Sequence, residues 1–118
     1  MVETPQEKAQ IAVDAVVDRR AEDVVVMEMG QVTTICDYFV ICHGRSPTHI
    51  AAIGEEVQKQ MKSAGYAPFH VEGSKEGRWV LQDYNDVLVH IFTEEARRFY
   101  DLERLWSDAQ IVAEYAEE

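Results

Sequence analysis

Asp37-Tyr38-Phe39-Val40-Ile41-Cys42-His43-Gly44-Arg45-Ser46-Pro47 is the stretch that decides how the chain is built. Its first six residues are mostly apolar and read as a buried strand. Gly44 ends that strand, and Ser46-Pro47 supplies a cap hydroxyl followed by proline at the first helical position. Ile50, Ile53, Val57, Met61 and Ala64 then recur at helical spacing, and Gly65 offers a left-handed stop. Gly54 falls on that apolar face, where a missing side chain lets another element come close. A strand, a glycine turn and a capped helix in succession make an α/β unit.

Upstream, Thr4-Pro5-Gln6-Glu7 has the make-up of a capped helix start, and the helix is expected to run to about Arg20. Ile11, Ala12, Ala15, Val16 and Arg19 share one face, with Lys8, Asp14 and Asp18 directed outward. Val24-Val25-Val26-Met27-Glu28-Met29, stopped by Gly30, reads as another buried strand.

Downstream, Pro68-Phe69-His70-Val71-Glu72 is a short strand candidate, and Gly73-Ser74-Lys75-Glu76-Gly77 is a polar turn. Arg78 to Asp83 and Val87 to Phe92 are predicted to pair as a hairpin through Tyr84-Asn85-Asp86, since Asn tolerates positive φ. The second of these strands is apolar almost throughout, as a strand covered on both faces would be. Thr93 caps a last helix, with Glu94 and Glu95 near its positive end and a stripe of Ala96, Phe99, Leu102, Trp106 and Ala109. The expected fold is α/β: a single domain over residues 1–118, with a five-stranded mixed sheet and three helices. Residues 1–3 and about 113–118 are expected to be flexible ends.

Among 118 residues, 22 are acidic and 11 basic, giving a formal net charge of -11. Both halves are acidic, so neither is a basic arm, and wrapping of bare nucleic acid is disfavoured. No apolar run approaches the roughly 20 residues of a membrane span, and Met1 to Gln10 resembles neither a secretory signal nor a transit peptide. Cys36 and Cys42, six apart along one stretch, read as free thiols in a reducing cytosol. A cytoplasmic location is therefore expected.

The chain is sparing with catalytic patterns. Cys36, Cys42, His43, His49, His70 and His90 show no metal-ligand spacing, so no metal or cofactor is expected. Gly44-Arg45-Ser46 entering a helix could cradle an anion, which makes a nucleotide-binding or nucleotidyl-transferring enzyme the alternative reading. Such an enzyme needs two carboxylates at alternate strand positions to hold Mg²⁺, and His70-Val71-Glu72 offers one. No Gly-x-Ser-x-Gly elbow occurs, and neither cysteine has a base partner in the pattern.

The hairpin is the more informative feature. Trp79, Leu81 and Asp83 share one side of its first strand, and Val80, Gln82 and Tyr84 the other. A Trp and a Tyr rimmed by Glu72, Asp83 and Asp86 have the composition of a protein-binding hot spot aimed at basic side chains. On the competing reading, Trp79 is core and the acids are ordinary surface.

Several blocks resemble the ribosomal silencing factor family, also called Iojap-like proteins. They are Ala21-Glu22-Asp23-Val24-Val25-Val26 and Ile35-Cys36-Asp37-Tyr38-Phe39-Val40-Ile41-Cys42-His43-Gly44 in the first half, and His70-Val71-Glu72-Gly73 at the start of the second. Gly77-Arg78-Trp79-Val80-Leu81-Gln82-Asp83-Tyr84, Asp86-Val87-Leu88-Val89-His90-Ile91-Phe92 and residues 94 to 106 follow in the expected order. The likeness spans about residues 5 to 109, and Asn85 departs from the Gly usual in the family. The resemblance implies a nucleotidyltransferase-like fold lacking the catalytic carboxylates. It also implies a non-enzymatic protein that binds the large ribosomal subunit through its protein number fourteen. Occupying that surface would block joining of the small subunit and repress translation under nutrient limitation. A homodimer in the free state is part of the same expectation.

Charge fits this expectation by a separate route. An acidic protein is repelled by rRNA within a Debye length of about 8 Å at physiological salt, so its dock is expected to be a basic protein patch. Glu72, Asp83 and Asp86 would steer the encounter, while Trp79, Leu81 and Tyr84 would supply anchor area.

Overall fold

The Thr4 hydroxyl accepts the Glu7 backbone N–H at 3.2 Å, starting helix α1 (Pro5–Asp18) where its cap sequence places it. The computed structural model describes residues 4–73 and 77–115. The expectations for residues 1–3, for 116–118 and for the tip of the polar turn at Ser74, Lys75 and Glu76 lie outside the described residues. Ala9, Ala12, Val13, Ala15 and Val16 give α1 its buried stripe. Lys8 does not point outward as expected. Its Nζ lies 2.7 Å from Asp86 Oδ1 and 3.0 Å from the Tyr84 carbonyl, and 4.5 Å above the Tyr66 ring.

Strands β1 (Glu22–Glu28) and β2 (Tyr38–Gly44) pair antiparallel, and β2 leads into α2 (Pro47–Ser63) through the Ser46 cap. Helix α2 buries Ile50, Ile53, Gly54, Val57 and Met61, and Gly65 takes φ +96° just past its end. The chain then forms β3 (His70–Gly73), β4 (Trp79–Asp83) and β5 (Val87–Thr93). Asn85 turns the β4–β5 hairpin at φ +77°, its N–H donating to Asp83 Oδ1 at 2.7 Å, so an asparagine does serve there. The β2–β5 pair is parallel and the other pairs antiparallel, in the order β3-β4-β5-β2-β1-β6.

That order holds one strand more than expected. The single long final helix is replaced by α3 (Glu94–Tyr100), a left-handed residue at Asp101 with φ +45°, one turn of α4 (Leu102–Leu105), and β6 (Gln110–Tyr115). Instead of fraying after Val112, residues up to Tyr115 pair with β1, from Val24 to Glu28. The unmet N–H and C=O groups on the outer side of β1 account for this. A strand can satisfy them and an amphipathic helix cannot.

The sheet separates two apolar layers. Helices α1 and α2 cover one face, packing on Val24, Val26, Val40, Cys42, Val87, Val89 and Ile91. The other face carries Val25, Met27, Phe39, Ile41 and Phe92, and is roofed by Ala96, Leu102 and Ala109 of the final segment. Cys36 and Cys42 belong to different layers and are both free and buried. Burial pushes each thiol up to about 12, so both are protonated and unreactive at neutral pH.

Gly54 has a definite task. A side-chain carbon there would sit 3.2 Å from Gln82 Nε2, which donates to the Gly54 carbonyl at 2.9 Å. Gln82 Oε1 in turn accepts the Tyr84 hydroxyl at 2.7 Å, completing a buried polar chain between α2 and β4. Gln82→Leu is expected to destabilise by about 2 kcal/mol, because it strands the Tyr84 hydroxyl. Adding Tyr84→Phe should return part of that loss. A denaturation double-mutant cycle with zero coupling would show that the chain of bonds contributes nothing.

Candidate functional site

Alternation along β4 sends Trp79, Leu81 and Asp83 to the side away from α2. Their cross-strand partners extend the face: Glu72 lies opposite Leu81 and His70 opposite Asp83 on β3, while Phe92, His90 and Leu88 face them from β5. Val71, Glu72, Gly73, Trp79 and Leu81 line an open cleft of about 550 Å³. Of the six residues expected to make contact, Glu72, Trp79, Leu81 and Asp83 therefore share one surface.

The other two do not. Tyr84 is 1% exposed in the opposite layer and spends its hydroxyl on Gln82, so it is core and supplies no anchor area. Asp86 is turned toward α1, where it neutralises Lys8. Tyr84 continues the Val80–Gln82 side of the alternation and Asp86 lies in the turn beyond it, which is why composition suggested a cluster that geometry divides.

Trp79 is neither wholly core nor wholly surface. Its ring is half-buried against Phe92, with centroids 5.0 Å apart, and Tyr100, at 4.7 Å, and its N–H points at His90 Nδ1 3.3 Å away. Tyr100 is itself half exposed, and next to it Phe99 stands 80% exposed with ring centroids 5.1 Å apart. The stripe expected of a continuous helix includes Phe99. The break at Asp101 leaves it outside, so the aromatic margin formed by Phe99 and Tyr100 was missed. Trp106 packs edge-on against Phe39 at 6.2 Å beneath the same roof. Glu72 contributes a carboxylate 2.9 Å from His70 Nε2 at the exposed edge strand.

The loop weighed as an anion cradle is occupied by its own side chains. The Arg45 N–H donates to His49 Nδ1 at 3.0 Å, the Ser46 hydroxyl accepts the His49 N–H, and His49 Nε2 donates to the Arg19 carbonyl at 2.7 Å. Gly44 is required by packing, since a side-chain carbon there would approach His49 Nδ1, Ile50 and Ile53 within 3.2 Å. No group of three or more potential metal ligands occurs among the described residues.

A second polar cluster lies where α3 meets β1 and β2. The Arg97 side chain is nine-tenths buried, and Nη1 donates to the Asp23 carbonyl at 2.6 Å and to His43 Nδ1 at 2.9 Å. Nη2 meets Glu103 Oε2 at 3.1 Å. His43 is held below the usual histidine range by burial first and by the Arg97 charge second, against opposing pulls from Glu22, Asp23 and Glu94. Every arm of the guanidinium is engaged within the fold, so the cluster acts as a clasp.

Fold and candidate site together define a small α/β protein with a mixed, half-roofed sheet and an aromatic face bordered by acids. The chain belongs to the ribosomal silencing factor family: the family model described as "Ribosomal silencing factor during starvation" matches residues 2–118. It is 44% identical over 107 residues to ribosomal silencing factor RsfS of Halalkalibacterium halodurans, covering 91% of this chain and 92% of that one. The protein of the same name from Bacillus subtilis is 42% identical, with 87% of each chain covered. A crystal structure of a Chromobacterium violaceum protein superposes with a TM-score of 0.86 at 30% identity, covering 89% of this chain and 88% of that one.

Proposed function

We propose that this chain is a non-enzymatic anti-association factor. It binds the large ribosomal subunit through that subunit's protein number fourteen, sterically blocks joining of the small subunit, and so represses translation when nutrients are short. The observation that carries this reading is the face of Glu72, Trp79, Leu81 and Asp83, apolar at its centre and acidic at its border, on a protein of net charge -11 within the ribosomal silencing factor family. A basic ribosomal protein is the complementary surface for such a face, whereas rRNA phosphate would repel it. A standard interface of about 1,600 Å² lies within reach of a domain this size, and exclusion of the small subunit then requires no chemistry. The scaffold in this reading is nucleotidyltransferase-like without the carboxylate pair, the location is the cytoplasm, and the free protein is a homodimer.

In sucrose gradients with purified subunits, added protein should co-migrate with the large subunit and deplete the joined particle. Failure to deplete it would refute the proposal. Trp79→Ala is expected to weaken large-subunit binding by about 2 kcal/mol, read from the co-migrating fraction. A folded variant with unchanged affinity would remove Trp79 from the contact. Calorimetric titration with Mg²⁺ and each nucleoside triphosphate should give flat traces, and saturable micromolar binding would favour the enzyme reading instead.

A further inference from the structure

We infer that His90 is a positioning residue of the contact face, its Nδ1 fixing the orientation in which the Trp79 indole meets a partner. The inference rests on the proposed role of Trp79. His90 lies in the middle of β5, between Leu81 of β4 and Ile41 of β2. Its ring is walled by Phe39 at 4.6 Å, Trp79 at 5.9 Å and Phe92 at 6.1 Å between centroids. An indole N–H can only donate, so at 3.3 Å His90 Nδ1 is the acceptor and the proton of the neutral ring resides on Nε2. That Nε2 is buried and has no hydrogen-bond partner among the described residues.

A residue present only to fill space would not carry this defect. Phenylalanine would occupy the same aromatic wall without burying an unsatisfied N–H, which is a costly arrangement. What histidine adds is an acceptor among the aromatic rings that wall it, and that acceptor is used by Trp79. Burial pushes the imidazole down to about 4, so the Nδ1 lone pair persists throughout the neutral range. Stacking on Phe92, with Tyr100 tilted against the ring, sets the plane of the indole but not which edge faces inward. The hydrogen bond makes that choice by anchoring the N–H edge and leaving the opposite, hydrocarbon edge for the partner.

Nitrogen NMR of the unmodified protein should find Nδ1 of His90 bare and Nε2 protonated, and the opposite tautomer would overturn the inference. In the gradient assay, His90→Phe is expected to lower large-subunit affinity at least tenfold while retaining the circular dichroism of the fold. His90→Asn, which places an amide oxygen close to the lost Nδ1, should recover most of that loss despite leaving a larger hole. Asparagine binding no better than phenylalanine would reduce His90 to packing and overturn the inference. Should His90→Phe fail to fold, the tautomer and the affinity of His90→Asn decide the matter. Trp79→Ala run alongside separates the two claims. If it weakens binding and His90→Phe does not, positioning alone fails; if neither does, the contact-face reading fails as well.

Discussion

Arg97→Met is expected to cost about 3 kcal/mol of folding stability, within the range for removing one partner of a buried charge pair. The guanidinium satisfies the Asp23 carbonyl, His43 Nδ1 and the Glu103 carboxylate from a single side chain. Methionine fills comparable volume, so the loss reports on polar groups rather than on a cavity. Glu103 is partly exposed and can rehydrate, which keeps the cost toward the lower end of the range. Asp23 and Asp101 stand at φ +46° and φ +45°, conformations that non-glycine residues adopt only when surroundings hold them, and Arg97 is part of that hold. Urea denaturation is the measurement. A midpoint within error of the parent would mean that the clasp contributes nothing, and Arg97→Lys should rescue little, since a single nitrogen cannot span the positions that Nη1 and Nη2 occupy.

Acid should weaken the fold by a similar amount before most carboxylates titrate. Burial lowers His90 from an ordinary 6.5 to about 4. Between those values the unfolded chain takes up a proton that the folded chain refuses, so stability rises with pH across the window. The contribution is complete above pH 6.5, drains away as pH falls to about 4, and amounts to about 3 kcal/mol at about 1.4 kcal/mol per pH unit. His43 is shifted in the same direction and adds to the effect. Denaturation midpoints between pH 7 and pH 4 test this, with His90→Phe expected to flatten much of the slope. A parent profile level through the window would show that His90 is protonated in the folded protein.

Local chemistry carries most of the architecture. Thr4, Ser46 and Thr93 each cap the helix their neighbours announce, and Gly65 and Asn85 take the positive φ that their positions demand. The periodicity of Ile50, Ile53, Val57 and Met61 returns as a buried helix face. What escaped was non-local. A Phe99–Leu102–Trp106 stripe is a sound helix pattern on its own, and only the open edge of β1 and the pull of Arg97 on Glu103 favour a break at Asp101. The candidate site followed the same rule. Strand alternation grouped Trp79, Leu81 and Asp83 on one side and put Tyr84 on the other, where it packs, whereas adding Tyr84 and Asp86 to the contact set rested on composition alone, and Asp86 turns to Lys8.

The pairing of β1 with β6 bears on biosynthesis. Synthesis from the amino end delivers β1 first among the strands, while β6, which shields its outer edge, emerges only after β2 to β5. Until it does, a row of backbone donors and acceptors beside an apolar strand stays open to other nascent polypeptides, which is the usual route to misassembly. For this protein the vulnerable interval closes only once Gln110 to Tyr115 have emerged and paired.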